Sequence, residues 1–87
     1  MNAEELATKY ITAMEKTVQT MQQTKGSITI IEECTDEIIG YVKAYLQDAK
    51  YFKEQKKFET SLTSIAYCEG LLDALKLIGA VKVPSEQ

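Results

Sequence analysis

IIGYVKAYLQDAKYFKEQKKFETSLTSIAYCEGLLDALKLIG, residues 38–79, is the stretch on which the fold turns. In its first half, Ile38, Val42, Tyr45, Ala49 and Phe52 follow Ile31 at intervals of seven, four, three, four and three. That is the seam spacing of a helix packed in a bundle or coiled coil. Cys34, Ile39 and Leu46 flank the seam, and the spacing predicts a helix over residues 29–55. Thr29 with Glu32 has the capping-box spacing for its start. The β-branched run at residues 28–31 has strand propensity, but no second strand exists to pair with it, so it is assigned to the helix start.

After Gln55-Lys56-Lys57 a further helix is expected over residues 58–78, ended by Gly79 with Pro84 soon after. So short a connection forces an antiparallel hairpin. Charges on the first of the two helices are polarised: Glu32, Glu33, Asp36 and Glu37 at its start, Lys50, Lys53, Lys56 and Lys57 at its end. Both clusters complement the helix dipole, which explains the lysines without a phosphate or RNA ligand.

Upstream, Ala3, Leu6, Ala7, Tyr10, Ile11, Met14, Val18 and Met21 fall on one stripe at about 100° per residue. This predicts a helix over residues 3–24, with Asn2 and Glu5 in capping positions and a stop at Lys25-Gly26-Ser27. The expected fold is all-α: a three-helix antiparallel bundle in one domain, residues 1–79, followed by a tail over residues 80–87 whose last few residues are loose.

The last helix is unusual. In its second half only Glu69, Asp73 and Lys76 form a polar stripe, about 60° wide by helical stepping. Apolar residues cover the rest, more than the arc of about 100° a surface helix presents. Two other helices cannot surround it, so its outer side is expected to meet a partner, most simply a second copy. Tyr67, Leu71, Ala74 and Ile78, with Val81, form the candidate interface. Ala66, Gly70 and Ala74 make a row of small residues that would admit a close helix, since an interior Gly costs about 1 kcal/mol against Ala. Glu69, bordered by Leu62, Ile65 and Leu72, is expected with Asp73 to form a semi-buried polar site, satisfied by a tyrosine such as Tyr45 or by a lysine.

The stretch from Asp48 to Phe52, the basic turn, and the run from Ala66 to Leu75 resemble domain-of-unknown-function family 357, a family of short, mainly archaeal proteins. The Glu69–Leu75 run, EGLLDAL, is the most distinctive part, while Lys56-Lys57 stands where the family pattern has a Gly-containing pair. The resemblance implies a compact helical bundle and no activity. The same hairpin is also similar to a single tetratricopeptide unit, without the second copy that a repeat array requires.

Composition bounds the function. With 87 residues, 45% of them hydrophobic, the chain suffices for one domain. A net charge of -3, with lysines and no arginine, is not that of a general nucleic-acid binder. No apolar run approaches the roughly 20 residues of a membrane span, and MNAEELATKY carries Glu4 and Glu5 where a secretory signal is basic and then apolar. A cytoplasmic protein is expected, with Cys34 and Cys68 reduced and buried.

The absence of histidine removes His-based acid–base catalysis, Ser–His triads and Cys/His zinc sites, and no phosphate-binding glycine loop is present. Helical nucleotide pyrophosphohydrolases hold a divalent metal with carboxylates on facing helices. Glu32, Glu33, Asp36 and Glu37 with Glu69 and Asp73 are loosely similar to that set, but the first four step away from the hairpin seam. The leading expectation is a non-enzymatic module without cofactor that self-associates as a homodimer or docks a protein partner. The competing classes are a carboxylate-metal nucleotide hydrolase and an RNA-associated accessory domain.

Overall fold

The computed structural model describes residues 1–84; the end of the tail, expected to be loose, lies outside the described residues. Three helices follow in order: α1 (Ala3–Thr20), α2 (Glu32–Glu54) and α3 (Phe58–Leu77). No strand occurs among the described residues.

Helix α1 starts as its sequence dictates. The Asn2 side chain accepts from the Glu5 backbone N–H at 2.8 Å, and Glu4 and Glu5 place negative charge on the positive end of the dipole. It ends four residues earlier than expected. The Thr17 and Thr20 hydroxyls bond back to the carbonyls of Ala13 and Lys16, a competition that weakens a helix near its terminus. Met21 then turns extended, with ψ 149°.

Helix α2 begins three residues later than expected, and the Thr29–Glu32 capping box does not form. Ile31, with φ -89° and ψ 155°, is the N-cap and gives no side-chain cap bond. Ile28, Thr29 and Ile30 before it are in neither helix nor strand.

In the turn between α2 and α3, Lys56 takes a backbone conformation that favours glycine. Lys57 N–H reaches the Phe52 carbonyl at 2.8 Å and Lys56 N–H the Lys53 carbonyl at 2.9 Å, the two bonds of a Schellman motif. The motif needs a left-handed residue, and Lys56 supplies it at φ 61°, the one non-Gly residue with positive φ among those described. Helix α3 closes the same way, with Ala80 N–H on Leu75 and Gly79 N–H on Lys76; there Gly79 takes φ 76° without strain.

The hairpin is the packed part of the molecule. Ala49, Cys68 and Leu75 are buried in its seam, Leu75 to 1% exposure, and Thr35, Ile38, Ile39, Val42, Tyr45 and Phe52 line it half-buried. Two bonds across it set the register. Ser61 Oγ donates to the Ala49 carbonyl at 2.7 Å, and Cys68 Sγ donates to the Val42 carbonyl at 3.3 Å. Seven residues back along α2 thus correspond to seven forward along α3, the heptad relation of an antiparallel pair. One more step sets Leu75 opposite Thr35.

Helix α1 stands off this hairpin. No Cα of α1 comes within 8 Å of α2 or α3, and every residue of α1 is exposed. The radius of gyration is 16.1 Å, against about 12 Å for a compact chain of this length.

Candidate association surface

The register of the hairpin gives it two unlike flanks. On one, Tyr45 of α2 and Tyr67 of α3 meet with ring centroids 4.9 Å apart at 33°, inside the range of favourable aromatic pairs. Stepping along each helix at about 100° per residue puts Ile38, Tyr41 and Phe52 with Tyr45, and Gly70, Leu71, Ala74 and Ile78 with Tyr67. A shallow groove there is lined by Thr63, Ala66, Tyr67, Gly70 and Leu71, none of them charged. The opposite flank carries Lys43 and Lys50 from α2 and Glu69, Asp73 and Lys76 from α3.

Of the candidate interface residues, Tyr67, Leu71, Ala74 and Ile78 therefore share one flank of the hairpin, and Val81 lies past the end of α3. Tyr67 and Ile78 are exposed to 60% and 53%, Ala74 is exposed, and Leu71 and Val81 are half-buried. The small-residue row is present, but its expected role within the chain is corrected. Ala66, Gly70 and Ala74 are exposed, and a Cβ built on Gly70 would meet nothing within 4 Å. No helix of the same chain packs there, because α2 lies against the Cys68–Leu75 side of α3.

The semi-buried polar site is also corrected. Glu69 and Asp73 are both exposed; they lie on the outer part of the charged flank, where water solvates them. Tyr45, considered as a partner for Glu69, faces Tyr67 across the other flank. Cys34 is exposed rather than buried, because it occupies the first turn of α2 at the side of the seam. Cys68 is buried as expected, and both cysteines are free.

Glu32, Glu33, Asp36 and Glu37 are exposed, and among the described residues no group of three or more Cys, Asp or Glu side chains converges as a metal site. Glu37 instead accepts a hydrogen bond from the Tyr41 hydroxyl at 3.2 Å. That bond, reinforced by the carboxylate charge, holds the Tyr41 phenol above its ordinary pKa. No helix among the described residues is long and apolar enough to cross a membrane.

What sequence reasoning missed lies in α1 and the segment after it. Leu6, Tyr10, Ile11, Met14 and Val18 of the α1 stripe are all exposed, Tyr10 to 65%, as are Ile28, Ile30 and Ile31. The stripe itself was legible; that nothing among the described residues covers it was not.

Residues 9–81 match the family described as Protein of unknown function (DUF357). The chain belongs to this family. The match runs from the first half of α1 to the residues just past α3, so it takes in the hairpin and both unlike flanks. No curated protein and no solved structure matches the chain. Membership in the family assigns no activity, and the chemistry must be argued from the surface.

Proposed function

We propose that this chain is a non-enzymatic helical module that works by self-association, forming a homodimer through the Tyr45–Tyr67 flank of its hairpin. The observation that carries this is exposed area. The single chain exposes 7863 Å², whereas a compact monomer of 9.8 kDa exposes about 5,200 Å². Roughly 2,700 Å² per chain is therefore uncovered beyond what a folded monomer shows. Leu6, Tyr10, Ile11, Met14 and Val18 of α1 and Tyr41, Tyr67 and Ile78 of the hairpin are exposed, and apolar patches of more than a few hundred Å² on soluble proteins mark association sites. Two-fold pairing is the commonest way to cover such a surface.

Light scattering behind size exclusion, at micromolar concentration, tests it. The expected mass is twice 9.8 kDa; a mass equal to the single chain refutes self-association. Ala74→Glu, which puts a charge beside the uncharged groove of α3 at an exposed helical position, should return the protein to monomer with its helix content intact. Lys16→Glu, at an exposed position on the far side of α1 from its stripe, should leave the dimer whole.

A further inference from the structure

We infer that α1 is exchanged between two copies, each chain laying its α1 along the Tyr45–Tyr67 flank of its partner's hairpin. This deepens the self-association proposed above and rests on it. An isolated helix of this length is marginal in water, and most helical stability in proteins comes from burying an amphipathic face. In α1 that face is complete but uncovered: no residue of the helix is buried and none approaches its own hairpin.

The segment over residues 21–31 carries α1 away. It is extended at both ends, at Met21 (ψ 149°) and Ile31 (ψ 155°), and contributes exposed Ile28, Ile30 and Ile31. An open hinge joining an unpaired helix to a packed unit is the arrangement that domain exchange uses.

The hairpin flank fits α1 in length and chemistry. With 18 residues α1 is about 27 Å long, and α3 with 20 residues is about 30 Å. The α1 stripe and the groove lining carry no charge, and Glu37 and Asp48 at the α2 edge of the flank are exposed, so docking need not bury an unpaired ion, which is the costly case.

Area decides between exchange and a simple contact of two α3 helices. An α3–α3 contact leaves the α1 stripe of both chains in water. Reciprocal exchange covers both stripes and both flanks, and the surplus of about 2,700 Å² per chain, about 5,400 Å² for the pair, reaches the upper end of the obligate homodimer range, about 2,000–5,000 Å² or more in total.

Full-length chain carrying Cys34→Ser, Met14→Cys and Gly70→Cys tests this with a short bis-maleimide cross-linker. Met14 lies near the middle of the α1 stripe and Gly70 near the middle of the groove, so the pair meets whichever way α1 runs. The new side chain at Gly70 meets nothing within 4 Å, and Cys68 is buried. Exchange predicts a covalent product at twice the chain mass on a denaturing gel, absent when the Cys34→Ser chain carries Met14→Cys or Gly70→Cys alone; a doubled product from Gly70→Cys alone means a contact of two α3 helices and overturns exchange. The same chain with Lys43→Cys in place of Gly70→Cys, on the charged flank, should stay uncross-linked. A Met14–Gly70 bridge that runs at single-chain mass means that α1 folds back on its own hairpin and overturns exchange. Absence of a bridge, or equal cross-linking of the Lys43 variant, overturns it as well. Light scattering on the untreated protein separates the two levels. A dimer mass with any of those outcomes refutes exchange alone, whereas a monomer mass refutes self-association and exchange together.

Discussion

Replacing Lys56 by glycine should make the protein more stable, although Lys56 makes no side-chain contact that the change improves. Lys56 sits at φ 61°, where a side chain crowds the backbone at about 1–2 kcal/mol. The Schellman bonds of Lys56 and Lys57 at 2.9 and 2.8 Å hold it there. Glycine removes the crowding but leaves a more flexible unfolded chain, which costs back about 0.4–1 kcal/mol. The net gain is about 0.5–1 kcal/mol, or roughly 2–8 °C in midpoint for a domain of this size. Gly79, in the same motif at φ 76°, gives the mirror test: Gly79→Ala should lose a similar amount. Lys56→Ala removes the charge while keeping the strain and should not stabilise. Thermal and urea melts by circular dichroism at one fixed protein concentration measure all three, since the midpoint of an associating chain depends on concentration. Lys56→Gly at or below wild type would show that the turn does not hold the left-handed geometry in solution. An equal gain from Lys56→Ala would show that charge, not backbone conformation, sets the effect.

Gly70→Leu should keep the helix content of the hairpin, because the position is open within the chain, and should weaken the dimer; a concentration series by light scattering reads it, and an unchanged dimer would remove the groove from the interface. Leu75→Ala, at the most buried position of the seam, should destabilise by about 2–5 kcal/mol in urea melts, and a loss below about 1 kcal/mol would mean that the seam is not the core. Glu37→Gln should bring the Tyr41 phenol down toward its ordinary value of 10.0, since the hydrogen bond and charge of Glu37 are the leading causes of its rise. In the wild type the small stabilisation from this bond is fully present below the ordinary phenol pKa and lost as pH rises through the raised one; ring-resonance NMR titration measures the shift, and an unchanged Tyr41 in the variant would refute the pairing. Purified protein with Mg²⁺ or Mn²⁺ should not hydrolyse common nucleoside triphosphates above background, and turnover lost in Glu69→Gln or Asp73→Asn would refute the non-enzymatic assignment.

The hairpin was legible because its causes are local. The interval pattern from Ile31 to Phe52 identified most of the α2 seam, and a connection of three residues left antiparallel packing as the only outcome. The Asn2 cap and the Gly79 stop were readable for the same reason. Boundaries failed where two local preferences compete. Helix α1 ends at Thr20, in a last turn where two threonines bond back to the backbone, and Ile31 rather than Thr29 stands at the start of α2.

Charge placement misled where burial depends on a neighbour's position. Glu69 borders apolar residues in the sequence, yet the side of α3 facing α2 is that of Cys68 and Leu75, which leaves Glu69 and Asp73 in water. Cys34 falls beside the seam rather than in it for the same geometrical reason.

The sequence by itself determined three helices, their amphipathic faces and the pairing of the last two, since periodicity, caps and a short turn act over a few residues. It also determined that α3 is too apolar for one partner helix to cover. Only the tertiary structure decided which flank of the hairpin is apolar, through the register set by Ser61 on Ala49 and Cys68 on Val42. It alone placed α1 away from that flank. Helical periodicity states that a stripe must be buried, but contains no term for the distance between elements joined by an eleven-residue segment. Within that reach a hairpin of the same chain and a hairpin of its copy satisfy the stripe equally well.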